Sequence, residues 1–177
     1  SKEILFFLDY DVSLTNIGID FVKKINGISD NEIISGIYAF DKNGTHISNI
    51  NASIIKYRFL QGKITNNNPE FISSSHFLIK KKFIQEIGGF NEQINSWEDV
   101  DFSFRSKIFN TKMVIESNFE TIHHKKYNFL NHFIENIRKV YNASKIKISN
   151  YNLYKGGTGQ LPLKILIYLL PIPMFFF

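Results

Sequence analysis

Two short acidic clusters carry most of the chemistry this chain can offer. Asp9-Tyr10-Asp11 stands directly after the apolar run Ile4 to Leu8, and Glu98-Asp99-Val100-Asp101 follows the only tryptophan, Trp97. Two carboxylates at i and i+2 supply hard oxygen donors, which suit Mg²⁺ or Mn²⁺ sharing its other positions with water and substrate phosphates. A bare pair of this kind is also an ordinary solvated strand end. A carboxylate in a cleft can deprotonate an attacking hydroxyl, and Glu98 and Asp99 offer that, although acids at a helix start are equally explained by the helix dipole. His123-His124 adds two imidazoles, and neutral imidazole is a competent metal ligand. No cysteine occurs, so disulfides, thiolate metal sites and cysteine nucleophiles are excluded.

These groups need elements to position them. The continuous apolar stretch Ile4 to Leu8 predicts a strand buried on both faces of a mostly parallel sheet, with Asp9 and Asp11 at its carboxyl end, the edge where open α/β sheets take their ligands. Ile17, Phe21, Val22 and Ile25 recur at helical spacing, with Thr15 or Asn16 as N-cap and Asn26-Gly27 as the stop. Strands are expected over 33–40, near 54–60, over 71–79 and over 113–116, with a turn at Asp41-Lys42-Asn43-Gly44 and a polar loop over 62–69. Lys80 to Ile87 suits a short helix closed by Gly88-Gly89, after which a loop delivers Trp97 to Asp101 to the start of another helix. Phe129, Phe133, Ile137, Val140, Tyr141 and Ser144 share one helical face, so 128–148 reads as an amphipathic helix. His46, His76 and His132 have no such company and read as surface or packing residues.

The chain of 177 residues, 44% hydrophobic, is long enough to bury one core. Its net charge of +5 is informative by position: between Lys125 and Lys147 the only acid is Glu135, and an apolar tail follows. That order suggests a membrane flank, and the cationic side favours the cytoplasmic face. Ser1-Lys2-Glu3 runs straight into an apolar strand and reads as a cut edge; Leu161 to Phe177, apolar except for Lys164, reads as the start of a transmembrane segment shorter than the roughly 20 residues a spanning helix needs.

In this order the motifs resemble the family 2 glycosyltransferases of GT-A type. Phe6 to Val12 is similar to their metal-binding strand end, Ser73 to Lys81 with Ile87-Gly88-Gly89-Phe90-Asn91-Glu92 to their acceptor-side strand and helix, and Trp97 to Arg105 to their catalytic-base helix. The resemblance covers roughly residues 3 to 125 and implies an α/β fold with a mixed sheet flanked by helices. It implies a partial catalytic domain over 1–127, a basic juxtamembrane helix and linker over 128–160, and the membrane segment over 161–177. By the same resemblance Asp11, with His123 or His124, would ligate a divalent cation (Mg²⁺ or Mn²⁺). Asp9 would contact the donor's sugar or ribose, Asp99 would be the general base, Glu98 would contact the acceptor, and Trp97 would stack on a sugar ring. The implied reaction moves a sugar from a nucleotide-diphosphate donor to an acceptor hydroxyl of a glycan or lipid-linked acceptor, with inversion. The strands that hold the nucleotide base in the family precede the first acidic motif, and only eight residues stand before Asp9 here. Processive synthases carry Gln-x-x-Arg-Trp after the base, whereas the sole tryptophan here lies before Asp99, so single addition in glycolipid or cell-surface polysaccharide synthesis fits better.

Two rivals remain. Phe7 to Thr15 also resembles the first motif of haloacid dehalogenase-type phosphatases, with Asp9 as nucleophile and Asp11 as acid/base, but Val12-Ser13 replaces the usual Gly-Thr there. A non-catalytic, membrane-attached sugar-nucleotide-binding domain is the other. A nucleic-acid partner is not expected, because the basic residues adjoin an apolar tail instead of alternating with aromatics.

Overall fold

The computed structural model describes residues 3–66, 69, 71–94 and 97–149. The chain divides into two compact units: residues 1–93 with 98–127, and 94–97 with 128–177. The first is a mixed α/β layer structure. Its strands are β1 (Ile4–Leu8), β2 (Val12–Leu14), β3 (Glu32–Tyr38), β4 (His76–Lys80) and β5 (Lys112–His123). Its helices are α1 (Asn16–Lys24), α2 (His46–Asn66), α3 (Lys81–Ile87) and α4 (Glu98–Lys107). The second unit contains α5 (Phe129–Ser149).

The five strands form one sheet in the order β1-β4-β3-β5-β2. Sequence pattern predicts a mostly parallel sheet, but only β3 and β5 run parallel; β1 with β4, β4 with β3 and β5 with β2 are antiparallel. The expectation of a strand buried on both sides also fails for β1. It lies at the sheet edge, with Phe6 and Leu8 exposed, because an apolar run reports low polarity and not which neighbours cover it.

Side chains alternate across the sheet. On one face Ile33, Phe77, Ile79 and Met113 join Phe83, Ile84 and Ile87 of α3 and Phe102 of α4 in the main core. Phe7 stacks on Phe77 with centroids 4.5 Å apart, and Phe90 closes on Phe102 at 4.8 Å. Ile37 and Ile115 continue this face under Phe59 and Ile55 of α2. On the other face Phe119 meets Phe6 at 5.7 Å and Phe21 of α1 at 5.4 Å.

Several local expectations hold. Thr15 caps α1, its hydroxyl accepting from the Gly18 amide at 3.1 Å. Gly88 ends α3 in the left-handed conformation at φ 88°, which glycine adopts without steric cost. The strand expected near 54–60 is instead part of α2, and the loop expected over 62–69 is helical as far as Asn66. Thr45 nucleates this helix, accepting from the Ser48 amide at 3.1 Å, and Ile55 and Phe59 then fall one turn apart on the buried side. Consecutive Ile54-Ile55 favour a strand, and tertiary burial at i,i+4 overrides that preference. Over 71–79 only His76 onward is strand, while β5 is far longer than the expected 113–116.

In the second unit α5 matches the expected helix within a residue at each end. Phe129, Leu130, Phe133, Ile134, Ile137 and Tyr141 are exposed along it. Among the described residues no helix is long and apolar enough to cross a membrane. The transmembrane start expected at 161–177, and the linker over 150–160, lie outside the described residues.

Candidate functional site

The first acidic motif is a tight turn between two strands at opposite edges of the sheet. After β1 the Asp9 amide donates to the Ser75 carbonyl at 2.9 Å, and the Val12 amide donates to the Asp9 carbonyl at 3.1 Å. The chain then enters β2, which pairs Val12 with His123 at the end of β5. That register sets Asp11 beside His123, with Oδ2 3.3 Å from Nε2. Tyr10, between the two acids, is fully exposed.

The second acidic motif forms the first turn of α4. Asp99 receives the Val100 amide at 2.8 Å, and Ser74 donates its hydroxyl to Glu98 Oε1 at 3.3 Å. The Ser73–Ser75 turn therefore touches both motifs: its main chain holds Asp9, and its middle hydroxyl holds Glu98.

Electrostatics point to the same convergence. Burial raises the Asp9 carboxyl, and the charges of Asp11 and Glu98 raise it further, against a lowering by His123. Burial, then repulsion from Glu98, pushes Asp99 up to about 6, although the amides of Val100 and Ser74 favour its charged form. Part of the Asp99 residue surface stays open to solvent, so the desolvation belongs to its inward-set carboxyl. Burial lowers His123, with Lys125 adding to the effect and Asp11 opposing it, so the imidazole is neutral at neutral pH.

The two adjacent histidines part company. His123 faces Asp11, and its ring lies over Tyr38 with centroids 5.4 Å apart and planes 18° from parallel. His124 has both ring nitrogens engaged elsewhere: Nε2 with the Ser13 hydroxyl at 2.8 Å and Nδ1 near Asp41 Oδ2 at 3.5 Å. Its backbone amide donates to the Asp11 carbonyl at 2.7 Å, so it steadies the turn. Of the two, His123 is the one presented to Asp11.

Asp101, part of the same acidic run, serves the fold. It is buried, and Oδ2 accepts from Arg105 Nε at 2.8 Å. The guanidinium also donates to the carbonyls of Ile87 at 2.9 Å and Gly89 at 2.7 Å, tying α4 to the end of α3. The Gly-Gly-Phe segment is thereby explained locally as a helix stop, one of the two carbonyl acceptors for Arg105, and an aromatic plug in Phe90.

Trp97 belongs to the second unit, whereas Asp9, Asp11, Glu98, Asp99, His123 and His124 belong to the first. Its backbone is left-handed at φ 67°, a conformation that costs a bulky residue about 1–3 kcal/mol.

Sequence reasoning missed Tyr38 and the hydroxyls of the Ser73–Ser75 turn, and it read His76 as a surface or packing residue, which the structure places in the packing. Tyr38 and His76 sit on the same sheet face, 4.9 Å apart edge to face, and both are buried. The run of three serines was the available signal, since consecutive small hydroxyls before a buried strand can satisfy polar groups a turn would otherwise strand. Nothing in the sequence marked Tyr38.

Among the described residues no group of three or more His, Asp and Glu side chains converges as a ready-made metal cage. Asp11 and His123 offer one oxygen and one nitrogen donor on a partly exposed edge, a set that fits a hexacoordinate cation able to keep waters and substrate phosphates. Comparison with protein-family models and with curated proteins gives no match.

Proposed function

We propose that this chain is the acceptor-side part of a GT-A-type glycosyltransferase similar to family 2. It would transfer one sugar from a nucleotide-diphosphate donor to an acceptor hydroxyl in glycolipid or cell-surface polysaccharide synthesis. The observation that carries the reading is the meeting of the Asp9–Asp11 turn with the Glu98–Asp99 turn through Ser73–Ser75, with a raised Asp99 carboxyl. A base matched to its task has a pKa near the working pH, and a carboxyl at about 6 is largely ionised at pH 7 while keeping more basicity than a solvated aspartate.

In this reading the Asp99 carboxylate accepts the acceptor's hydroxyl proton as its oxygen bonds to the anomeric carbon. The bond from that carbon to the diphosphate breaks, and the nucleotide diphosphate leaves with the bonding pair. Glu98 orients the acceptor, and Asp9 holds the donor sugar or ribose. Asp11 and His123 would hold a divalent cation, Mg²⁺ or Mn²⁺, which supplies charge neutralisation for the departing diphosphate. Trp97 is proposed as a stacking surface for a sugar. The exposed apolar stripe of α5 would rest on the membrane that carries the acceptor, with the site on the cytoplasmic face.

The test is nucleotide release from a panel of UDP and GDP sugars, with and without Mn²⁺, in membranes containing the protein, comparing wild type with Asp99→Asn. Metal-dependent release that requires Asp99 supports the transferase and identifies the donor. Absence of release with every donor overturns it.

A further inference from the structure

Behind the acids lies a buried polar layer to which the transfer reaction gives no role. The Tyr38 hydroxyl, at the carboxyl end of β3, hydrogen-bonds the Ser75 hydroxyl and lies 3.3 Å from that of Ser73. The two serine hydroxyls are 2.6 Å apart, and Ser75 Oγ reaches His76 Nδ1 at 3.1 Å. His76 is wholly buried, and burial drives its imidazole down to about 4, so it is neutral; the Gly36 backbone offsets this slightly, yet among the described residues no group meets Nε2 in hydrogen-bond geometry.

Polar groups buried without water are costly unless they satisfy one another, and such a network fixes one conformation when it does so. Here the conformation fixed is that of the turn between the two acidic motifs. Ser75 supplies the carbonyl that anchors Asp9, Ser74 supplies the hydroxyl that anchors Glu98, and the phenol grips the serines on either side of Ser74. The ring of Tyr38 meanwhile lies flat against His123.

We propose that Tyr38 is a positioning residue: its hydroxyl locks the Ser73–Ser75 turn and so sets the geometry between Asp9 and the Glu98–Asp99 pair, while its ring aligns His123. The catalytic consequence rests on the transferase reading; the mechanical claim does not. The phenol's own environment agrees with this placement. Its ionisation is disfavoured by burial first and also by the charges of Asp9 and Asp99, so it stays protonated and able to donate.

The two parts of the side chain can be separated. Tyr38→Phe keeps the ring and removes the hydroxyl, and Ser75→Ala removes the hydroxyl's partner with a smaller change of volume. The primary readout is the carboxyl titration of Asp99 by ¹³C NMR, assigned with Asp99→Asn, in protein whose near-UV circular dichroism matches wild type. The charged and titratable groups that bear on Asp99 are Glu98 on its own helix and Tyr38 from β3, and Asp9 bears on both of these.

With the turn released, the Ser74 amide no longer steadies the carboxylate, so the Asp99 midpoint moves upward in Tyr38→Phe and in Ser75→Ala. The double variant then shows no further movement, as expected for two groups acting as one unit. An unchanged midpoint in either folded variant overturns the proposal. If Tyr38→Phe does not fold, Ser75→Ala alone decides. Where transfer activity is found, Tyr38→Phe lowers kcat about tenfold with an unchanged KM for the donor, an effect of misplacing a catalytic group. A midpoint that moves in a protein with no transfer activity refutes the function and leaves the positioning role standing.

Discussion

Asp99 and Asp101 stand two residues apart on one helix and live under opposite rules. Asp101 is buried against Arg105, whose planar guanidinium distributes its donors over one carboxylate and two carbonyls. Asp99 is desolvated, faces the like charge of Glu98, and among the described residues pairs with no lysine or arginine. The first arrangement fixes a helix junction. The second leaves a carboxyl whose midpoint is raised to about 6, at a cost in stability above that pH.

The largest expected effect breaks the functional side of this contrast. Asp99→Asn lowers transfer about 10³-fold in the release assay, within the range for loss of a general base. Donor binding persists in that variant, whereas Asp11→Asn weakens the binding itself; equal binding loss in both would remove the distinction between their roles.

Next in size is the structural side. Arg105→Ala leaves Asp101 buried without its cation and strands the Ile87 and Gly89 carbonyls, so unfolding free energy should fall by about 3 kcal/mol, read from denaturant midpoints at pH 7. A loss below about 0.5 kcal/mol would show the pair to be no more than an ordinary surface contact.

The stability consequence of Asp99→Asn has the opposite sign. A carboxyl raised above its unfolded value favours the native state only while protonated, so stability falls as pH rises from the unfolded value of 3.8 through about 6 and the full cost is present above that. Asparagine avoids this cost, and the variant should be more stable than wild type by roughly 1–2 kcal/mol at pH 7, with the difference vanishing below about pH 4. Equal stability at both pH values would remove the strain from the account. The smallest effect sharpens the cause: Glu98→Gln removes the repulsive charge, and the Asp99 midpoint moves down in a carboxyl titration, with burial still holding it above the unfolded value.

How much of this is legible in the sequence depends on how far the information travels along the chain. Local signals suffice at Ile4–Leu8, at the Thr15 cap, at the Gly88 stop and along α5, because each is written within one or two turns. The pairing of the sheet is not local, and its mostly antiparallel order cannot be inferred from strand composition. The helix α2 reads as a strand in sequence because β-branched Ile54-Ile55 outweighs a capping threonine nine residues earlier. At the site, both acidic motifs are visible as clusters. The residues that join them, Tyr38 and the serine turn, are not, since a buried tyrosine has no sequence signature and its partners lie 35 and 37 positions away.

The junction between β3 and β5 has a consequence of another kind. Ser35 pairs with Ile115, yet Ile37 pairs with Glu120, so β5 holds three more residues than β3 across that step. Three is an odd number, and in a strand an odd offset exchanges the two faces. Met113 and Ile115 accordingly look into the main core, while Phe119 looks to the opposite side with α1. Gly36 makes room for the excursion: a side chain there would lie 1.9 Å from the Phe119 carbonyl oxygen. The step thus also sets the face of Thr121, paired with Tyr38, and of His123 two residues on, whose ring lies over Tyr38. Deleting one residue among Glu116, Ser117 and Asn118 while the excursion keeps its length would shift the strand beyond it by one residue and offer His124 in place of His123, an alteration of the site made without touching any residue in it.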